Sequence, residues 1–327
     1  MIKVDGKGGI SATIVADSIS ETGKRITTYE LEYPRFIHSE FMTHRLFSRN
    51  AASSRAIPVN KMIEHVETNT AMPIHWGKNQ RGMQANEECN SLIGECSREQ
   101  LWRNAAWCAT DIADAFATAG YHKQIVNRLL EPFQFIKVVC TSTEYDNFFW
   151  LRKHPDAQPE IAELARVMWE AREQSEPILL KAGEWHVPYY QGNYGDGVWK
   201  PSGYAKMGTD MEMTDHKRGY TLKEALAISA SCCAQVSYRL ADNSLEKAKK
   251  IYDMLVESKP VHASPFEHQA TPIARTQALV ESPRDVFRNN PGLTHRDKEW
   301  RYWSANFCGW VQHRQLIPDN ACWNYEN

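Results

Sequence analysis

The sequence predicts a mixed α/β protein of the α+β kind, because two segments have the pattern of strands and three have the pattern of helices. In residues 26–33 apolar and polar residues alternate, with Tyr29, Leu31 and Tyr33 on one side, which is typical of a half-buried strand. Residues 136–140 are rich in apolar, β-branched side chains, as in a buried strand. Three longer stretches repeat apolar residues every three or four positions, which is the period of an α-helix.

The first predicted helix begins after Ser97, with Gln100 three residues on as in a capping box, and ends near Gly120. The second follows Pro159, and the third extends from about residue 244 to 258. Their apolar stripes are Leu101, Ala105, Cys108, Ile112, Ala115 and Ala119 in the first, Ile161, Leu164, Ala165 and Met168 in the second, and Leu245, Ala248, Ile251, Tyr252 and Leu255 in the third.

We expect a single unit over residues 1–327. Residues 191–221 contain six of the 17 glycines and have no apolar period, which predicts a linker or surface loop. This stretch would join a segment at 10–190 to a segment at 222–320, as an excursion within one unit.

Composition excludes several classes of protein. The 327 residues include 38 Lys+Arg against 40 Asp+Glu, and 42% are hydrophobic, which argues against disorder and against nucleic-acid binding by net positive charge. The eight cysteines form no CxxC and are expected to be reduced thiols. Gly6, Gly8 and Gly9 interrupt any secretory leader, and no segment is long and apolar enough for a membrane. We therefore expect a cytoplasmic protein with no membrane partner.

The densest polar cluster occupies residues 43–55, after a predicted short helix at 35–45 and within a predicted loop at 48–54. Arginine forks, hydroxyl groups and loop N–H groups together suit an anionic, oxygen-rich ligand. The alternative is a solvated loop with incidental charges. The cationic or polar members are His44, Arg45, Ser48, Arg49, Asn50, Ser53, Ser54 and Arg55.

Two further arginines, Arg128 and Arg152, stand in apolar segments. Each could make a structural salt bridge, or both could contribute to a phosphate pocket. Residues 261–268 carry two His and one Glu, but the pattern is not HExxH and no third clear ligand is near, so we expect no metal.

The polar cluster resembles the hallmark of the flavin-dependent thymidylate synthases, the ThyX family. His44, Arg45, Ser48, Asn50, Ser53 and Arg55 fall at the hallmark's offsets. Four other blocks are similar to family segments: residues 127–132, residues 147–152 with the following Ala157, Gln158, Glu160 and Ile161, residues 233–238, and residues 261–268.

The order of these blocks is unusual for the family, because the blocks at 233–238 and 261–268 normally precede the His-Arg hallmark and here they follow it. The resemblance therefore implies a circularly permuted, phage-like long form with a mainly antiparallel sheet flanked by helices. Gln312, His313 and Arg314 would be a second copy of the His-Arg element at the junction. The family also implies a homo-oligomer, a dimer or tetramer, with active sites shared between subunits.

The resemblance implies that the protein binds FAD, which NADPH reduces, and converts dUMP to dTMP with methylenetetrahydrofolate as one-carbon donor. The catalytic residues would be Ser53, Arg152 and His44, with Ser53 a donor rather than a nucleophile. The residues that bind dUMP, or a related pyrimidine deoxynucleotide, would be Ser53, Ser54, Arg55, Arg128 and Arg152. The residues that face the flavin or the other cofactors would be His44, Arg45, Asn50, Asn147, His262, Ser264 and Glu267.

Four positions depart from the family pattern: Glu40, Thr43, Ala51 and Ala263. They leave open an alternative, a dUMP or dCMP hydroxymethylase on the same scaffold, in which water captures the one-carbon intermediate. A third possibility is a nucleotide-binding protein without catalysis. A further hypothesis is that Gln312 or Arg314 replaces the contact that the departures remove.

Overall fold

The computed structural model describes residues 1–82, 84–207, 210–215, 219–237, 244–274 and 282–325. Within them the chain combines helices with mainly antiparallel sheets in a mixed α/β architecture. The α-helices are α1 (His38–Phe41), α2 (Val59–Thr68), α3 (Arg98–Thr118), α4 (Lys123–Val126), α5 (Asp146–Arg152), α6 (Pro159–Glu173), α7 (Leu222–Ala234), α8 (Leu245–Glu257) and α9 (Pro283–Asn289). Short 3₁₀ helices occur at Lys7–Gly9, Arg35–Ile37, Asn127–Phe133, Ser264–Glu267 and His313–Leu316.

The largest sheet, called the central sheet below, has the strand order β1-β2-β3-β5-β4, with β6 parallel to β2. Its strands are β1 (Ile2–Asp5), β2 (Ser11–Ser20), β3 (Arg25–Pro34), β4 (Ser48–Ala51), β5 (Phe135–Ser142) and β6 (Ile178–Leu180). The second sheet has the order β16-β12-β7-β8, with β7 (Trp185–Gly192), β8 (Gly195–Trp199), β12 (Ala270–Pro272) and β16 (Trp310–Gln312). Two small sheets contain β9 (Gly203–Met207), β10 (Asp210–Asp215) and β11 (Tyr220–Thr221), and β13 (His295–Arg296), β14 (Tyr302–Ser304) and β15 (Phe307–Cys308). Across the described residues, no helix is both long and apolar enough to span a bilayer.

The two larger sheets lie face to face between helices. One face of the central sheet packs on α6 through a core that includes Tyr29 and Leu164. The other face meets β7, where His186 points toward the central sheet and its neighbours Trp185 and Val187 pack toward α7. This alternation along one strand follows the two-residue period of a strand and builds four layers: helix, sheet, sheet and helix.

The predicted strand at 26–33 is confirmed as β3, but its first part is buried on both faces, while Glu30 and Glu32 further along are partly exposed. Tyr29, Leu31 and Tyr33 have no exposed area, as the alternation predicts. Thr28 is also fully buried, because the second sheet covers part of the face that the sequence assigns to solvent. The prediction at 136–140 is confirmed as part of β5.

The three long helices are confirmed as α3, α6 and α8. Ser97 caps α3 by accepting a hydrogen bond of 3.2 Å from the Gln100 backbone N–H, and Gly120 follows the helix with a φ of +86°. In α6 the predicted stripe is fully buried. The helix predicted at 35–45 is shorter in the structure, with a 3₁₀ turn leading into α1.

The predicted stripe of α3 lies on the exposed side of the helix. Ala105, Cys108, Ala115 and Ala119 are exposed, and Ile112 keeps 50% of its area accessible. The buried side is formed by Ala106, Thr110 and Ala113, which pack toward α2 and Asn127–Phe133. Small side chains on this buried side let the helices approach closely.

The prediction of a linker or loop at 191–221 is wrong for its described residues, which contribute to β7 through β11. Val198 and Trp199 are buried, and a Cβ at Gly197 would overlap Ala16 of β2. The glycine there permits close packing of β8 against the central sheet. Residues 208–209 and 216–218 of this stretch lie outside the described residues.

The loop predicted at 48–54 is also corrected, since residues 48–51 form β4 at one edge of the central sheet. Backbone pairing with β5 decides this conformation despite the serine- and asparagine-rich composition. All eight cysteines are free thiols, as the composition predicts.

Candidate functional site

β4 places the polar cluster at the junction of the two larger sheets. Ser48 and Asn50 point toward the second sheet and the Ser264–Glu267 turn, where their partners lie. Arg49 points to the opposite face, donates a hydrogen bond of 2.8 Å to the Phe41 carbonyl and packs against the Phe41 ring. Arg49 is therefore committed to holding α1, while its two neighbours face the candidate site.

His44 and Arg152 make direct contact at the first part of the site. The Arg152 Nε lies 3.1 Å from the His44 Nε2, and the His44 ring stands edge-on to Phe148 at 4.8 Å between centroids. Burial first, and then the charges of Arg152 and Arg49, lower the pKa of His44 to about 4. His44 is therefore neutral at pH 7 and accepts a hydrogen bond at Nε2.

Ser53 and Ser54 lie in the turn after β4, which neighbouring segments fix in place. The Ser53 backbone N–H donates to the Ser237 Oγ at 2.7 Å. Ser54 is buried, and its Oγ donates to Glu131 Oε1 at 3.0 Å. The Asn127 amide donates to the Ser54 carbonyl at 2.6 Å. In this arrangement Ser54 anchors the turn, whereas Ser53 is only partly buried.

Arg128 does not lie in an apolar pocket. Its side chain is 62% exposed and approaches Glu131 at 3.5 Å, because the 3₁₀ turn of Asn127–Phe133 directs it outward. Glu131 also pairs with Arg35 at 3.0 Å. Arg45 and Arg55 are exposed as well, so these guanidinium groups are accessible to an anionic ligand.

Asn50 connects β4 to the 261–268 block. The amide orientation that satisfies its neighbours points Nδ2 at the Ser264 carbonyl (3.3 Å), His268 Nε2 (3.3 Å) and the Arg49 carbonyl (3.1 Å). His268 is fully buried, and burial lowers its pKa to about 3. Its ring is therefore neutral and can accept from Asn50.

The late Gln312–Arg314 element also reaches this site. The Gln312 Nε2 lies 3.3 Å from Ser48 Oγ and 3.2 Å from the Glu267 carbonyl. Arg314 forms an ion pair with Glu267. The Gln312 Oε1 is buried, and no described residue donates to it. His313 points the other way, into an aromatic cluster with Trp185, and burial lowers its pKa to about 4.

The remaining predicted residues are Asn147, on α5, and His262 and Ser264, at the start of the last block; all three are exposed. Their predicted roles stay predictions. Tyr238, at the end of the 233–238 block, lies outside the described residues. Within the described ranges, no group of three or more His, Cys, Asp and Glu side chains is arranged to hold a metal ion.

Sequence reasoning missed several polar residues of this region. His186, Thr28 and Thr141 carry no local signal, since their partners lie more than 100 residues away. Glu131 stands in a block that the sequence singled out, but only the fold brings it to Ser54 and Arg35. His268 also belongs to a recognised block, and its burial could not be predicted from its neighbours.

Blocks far apart in the chain thus meet around residues 44–55. The 127–132 block holds Ser54, the 147–152 block reaches His44, the 233–238 block reaches Ser53, and the 261–268 block reaches Asn50. No protein-family model matches this chain, and no curated protein shows a significant match to it.

Proposed function

We propose that this protein is a flavin-dependent thymidylate synthase of the ThyX type, which converts dUMP to dTMP with methylenetetrahydrofolate as one-carbon donor. The observation that carries the proposal is the meeting of the separate blocks around residues 44–55. Nothing in the sequence order requires those blocks to pack together, yet each contributes a hydrogen bond there.

The residues fit FAD by their chemistry. A flavin ring carries an imide N–H between two carbonyl groups, and it needs both donors and acceptors around it. Asn50 provides an amide, and the Gln312 Oε1 is a buried acceptor to which no described residue donates. A ligand N–H would relieve that unsatisfied group, whose burial is otherwise unfavourable by about 1–3 kcal/mol. When it is bound and reduced by NADPH, FAD supplies the hydride that completes the methyl group.

The residues also fit a nucleotide monophosphate. Arg45, Arg55 and Arg128 expose their guanidinium groups, which can bind phosphate oxygens in a bidentate manner. Arg152 is partly buried, and its contact with His44 holds its guanidinium near the start of the polar cluster. Ser53 offers a hydroxyl group in a turn whose backbone is fixed by Ser237.

A circular permutation accounts for the order of the blocks. The Ser264–Glu267 turn packs beside β4, although about 200 residues separate them in the chain. A permuted chain keeps such contacts while changing only the connections.

The proposed enzyme forms a homo-oligomer with shared active sites. The exposed stripe of α3, which includes Ile112 and Ala115, is an apolar helix face that a second copy of the chain would cover. Phe116, one turn after Ile112, extends it on the same helix. The block at 127–132 follows α3 and α4 closely, so an interface there would lie beside the exposed Arg128.

The test is turnover with FAD, NADPH, methylenetetrahydrofolate and dUMP, followed by mass spectrometry of the nucleotide, with dCMP in a parallel reaction. A product heavier by one methylene unit supports the proposal. A gain of one hydroxymethyl group identifies the hydroxymethylase alternative and makes Glu40 and Ala51 the first residues to mutate. Binding of dUMP and FAD without any product identifies a non-catalytic nucleotide-binding protein.

A control variant separates loss of the site from loss of the fold. Arg152→Met should abolish most of the turnover. Arg166→Met removes an arginine of α6 that pairs with Glu163 and Glu170, far from the polar cluster in sequence and with no contact to it among the described residues. Its turnover should match that of the unchanged protein.

A further inference from the structure

A row of buried polar side chains crosses the central sheet and ends at Asn50. Ser18, Thr28, Thr141 and Asn50 come from the neighbouring strands β2, β3, β5 and β4 and share one face of that sheet. Two imidazoles bridge these side chains. His186 belongs to β7 of the second sheet, and His268 lies two residues before β12.

The contacts of the row are continuous. His186 Nδ1 lies 2.9 Å from Ser18 Oγ, and His186 Nε2 lies 2.8 Å from Thr28 Oγ1. Thr28 and Thr141 are 2.7 Å apart between hydroxyl oxygens. His268 Nδ1 lies 2.8 Å from Thr141 Oγ1 and its Nε2 is 3.3 Å from the Asn50 amide. The five residues before Asn50 have no exposed area, whereas Asn50 is partly exposed.

One end of the row decides the direction of all its hydrogen bonds. Because both rings are neutral, each has one N–H donor and one acceptor. The Asn50 Nδ2 donates to His268 Nε2, so the proton of His268 sits on Nδ1 and is donated to Thr141. Thr141 then donates to Thr28, Thr28 to His186 Nε2, and His186 Nδ1 to Ser18. If every hydrogen bond of the row ran in the opposite direction, His268 Nε2 would donate to Asn50, and the Asn50 Oδ1 would have to face His268.

We infer that His268 is a positioning residue that fixes the amide of Asn50 so that its Oδ1 accepts from an imide N–H of the bound ligand. The Asn50 Nδ2 faces three acceptors, which its two N–H groups share, and its Oδ1 lies on the opposite side of the amide. An acceptor held in this way favours a ring with an N–H between two carbonyls over a ring with a bare nitrogen, because two facing acceptors repel and leave a buried group unpaired. Uracil and the flavin ring both carry that imide, and cytosine does not. The assignment of the ligand rests on the proposed function.

The order of the protons can be tested without any ligand. In protein labelled with ¹⁵N-histidine, long-range ¹H–¹⁵N spectra at pH 7.5 distinguish the two neutral tautomers, and His186→Asn and His268→Asn variants assign the signals. We expect both rings to carry the proton on Nδ1. A proton on Nε2 of His268 would reverse the row and overturn the inference.

The positioning role is tested by a matched pair of variants. In His268→Gln the side-chain amide reaches the position of Nε2, so the contact to Asn50 is kept and the contact to Thr141 is lost. In His268→Asn the contact to Thr141 is kept and the one to Asn50 is lost. Both shorten or reshape the same buried side chain, so a purely structural role predicts similar losses.

We expect His268→Asn to weaken ligand binding about tenfold, the equivalent of one oriented hydrogen bond, and His268→Gln to retain most of the affinity. Binding of FAD alone and of dUMP alone, each by titration calorimetry, identifies which imide Asn50 meets. Equal losses in the two variants for both ligands would overturn the positioning role. If the unchanged protein binds neither FAD nor dUMP, the proposed function and the ligand assignment both fail, while the tautomer spectra still decide the order of the protons.

Discussion

The guanidinium of Arg152 donates from Nε to the Nε2 of His44 across 3.1 Å, so a cation and not a carboxylate faces this imidazole. A carboxylate partner would stabilise the protonated ring, whereas Arg152 stabilises the neutral one. The remaining proton of His44 therefore sits on Nδ1. At neutral pH this side chain is a neutral hydrogen-bonding group and not an acid.

Removal of the Arg152 charge should raise the pKa of His44. Burial is the largest cause of the lowered pKa of His44, and the charge of Arg152 is the second. The Arg152→Met substitution removes that charge and leaves the burial. We expect the pKa to rise from about 4 but to stay below 6.5. An NMR titration of the His44 ring protons measures it. Arg128→Met is the matched control, since Arg128 pairs with Glu131 instead, and a pKa of His44 unchanged in both variants would contradict the prediction.

The fold should lose stability in acid. His186 and His268 have pKa values lowered to about 3, and that of His313 is lowered to about 4. Above pH 6.5 these rings are neutral in both states. As the pH falls below 6.5 the unfolded chain binds protons that the folded chain does not, so the free energy of unfolding decreases until about pH 3–4. Each ring contributes at most about 1.4 kcal/mol per pH unit.

Urea unfolding at a series of pH values from 7.5 downward tests this dependence. Since His262 is exposed, His262→Gln should leave the slope against pH unchanged. His268→Gln should reduce the slope as well as the stability itself. A stability that is flat between pH 6.5 and 4.5 would show that the three rings are not buried in the neutral form.

Gln312 and Arg314 should be needed for the proposed reaction. The double variant Gln312→Ala/Arg314→Met removes the contacts to Ser48 and Glu267 and leaves the Glu267 carboxylate without its ion pair. We expect the turnover of dUMP to fall at least tenfold, by roughly 1.4 kcal/mol or more in the activation free energy.

The control for this pair is Gln315→Ala combined with Arg301→Met. Gln315 lies in the same 3₁₀ helix, and Arg301 pairs with Asp297 on a surface hairpin. Thermal unfolding of both double variants shows whether they remain folded. Full activity of the Gln312→Ala/Arg314→Met protein would show that the Gln312–Arg314 element is not needed for the reaction.

The exposed stripe of α3 should mediate self-association. Ile112→Asp places a charge in the centre of an apolar face, and burial of an unpaired charge at an interface is unfavourable. We expect light scattering after size exclusion to give a smaller particle for this variant. Leu92→Asp changes an even more exposed apolar residue in a loop and should leave the particle size unaltered. A monomeric mass for the unchanged protein would refute the proposed oligomer.

Local patterns predicted the elements whose burial depends on their own sequence. The alternation around Tyr29 predicts β3, and the period through Ile161 and Leu164 predicts α6 and its buried face. Ser97 and Ser244 mark helix starts by capping, which is also a local interaction.

Local patterns could not predict what a distant segment covers. Thr28 is buried because His186 lies over it, 158 residues further on. In α3 the side with Ala106 and Ala113 packs toward α2, so the predicted apolar stripe points outward. The same holds for Gly197, whose role depends on Ala16. The motif positions single out residues 44–55 as the candidate site, but the exposed position of Arg128 required the fold.

The span between Asn50 and His268 has a consequence for biosynthesis. Their contact joins residues 218 positions apart, so a ribosome that adds roughly 5–20 residues per second makes His268 about 10–45 seconds after Asn50. Once β5 has been made, in the later part of that interval, β4 can pair with it, but Asn50 still has neither the imidazole nor the Ser264 carbonyl that orient its amide. A nascent chain therefore completes the strands of the central sheet before it completes the candidate site, and a chain that terminates early has the central sheet without the candidate site.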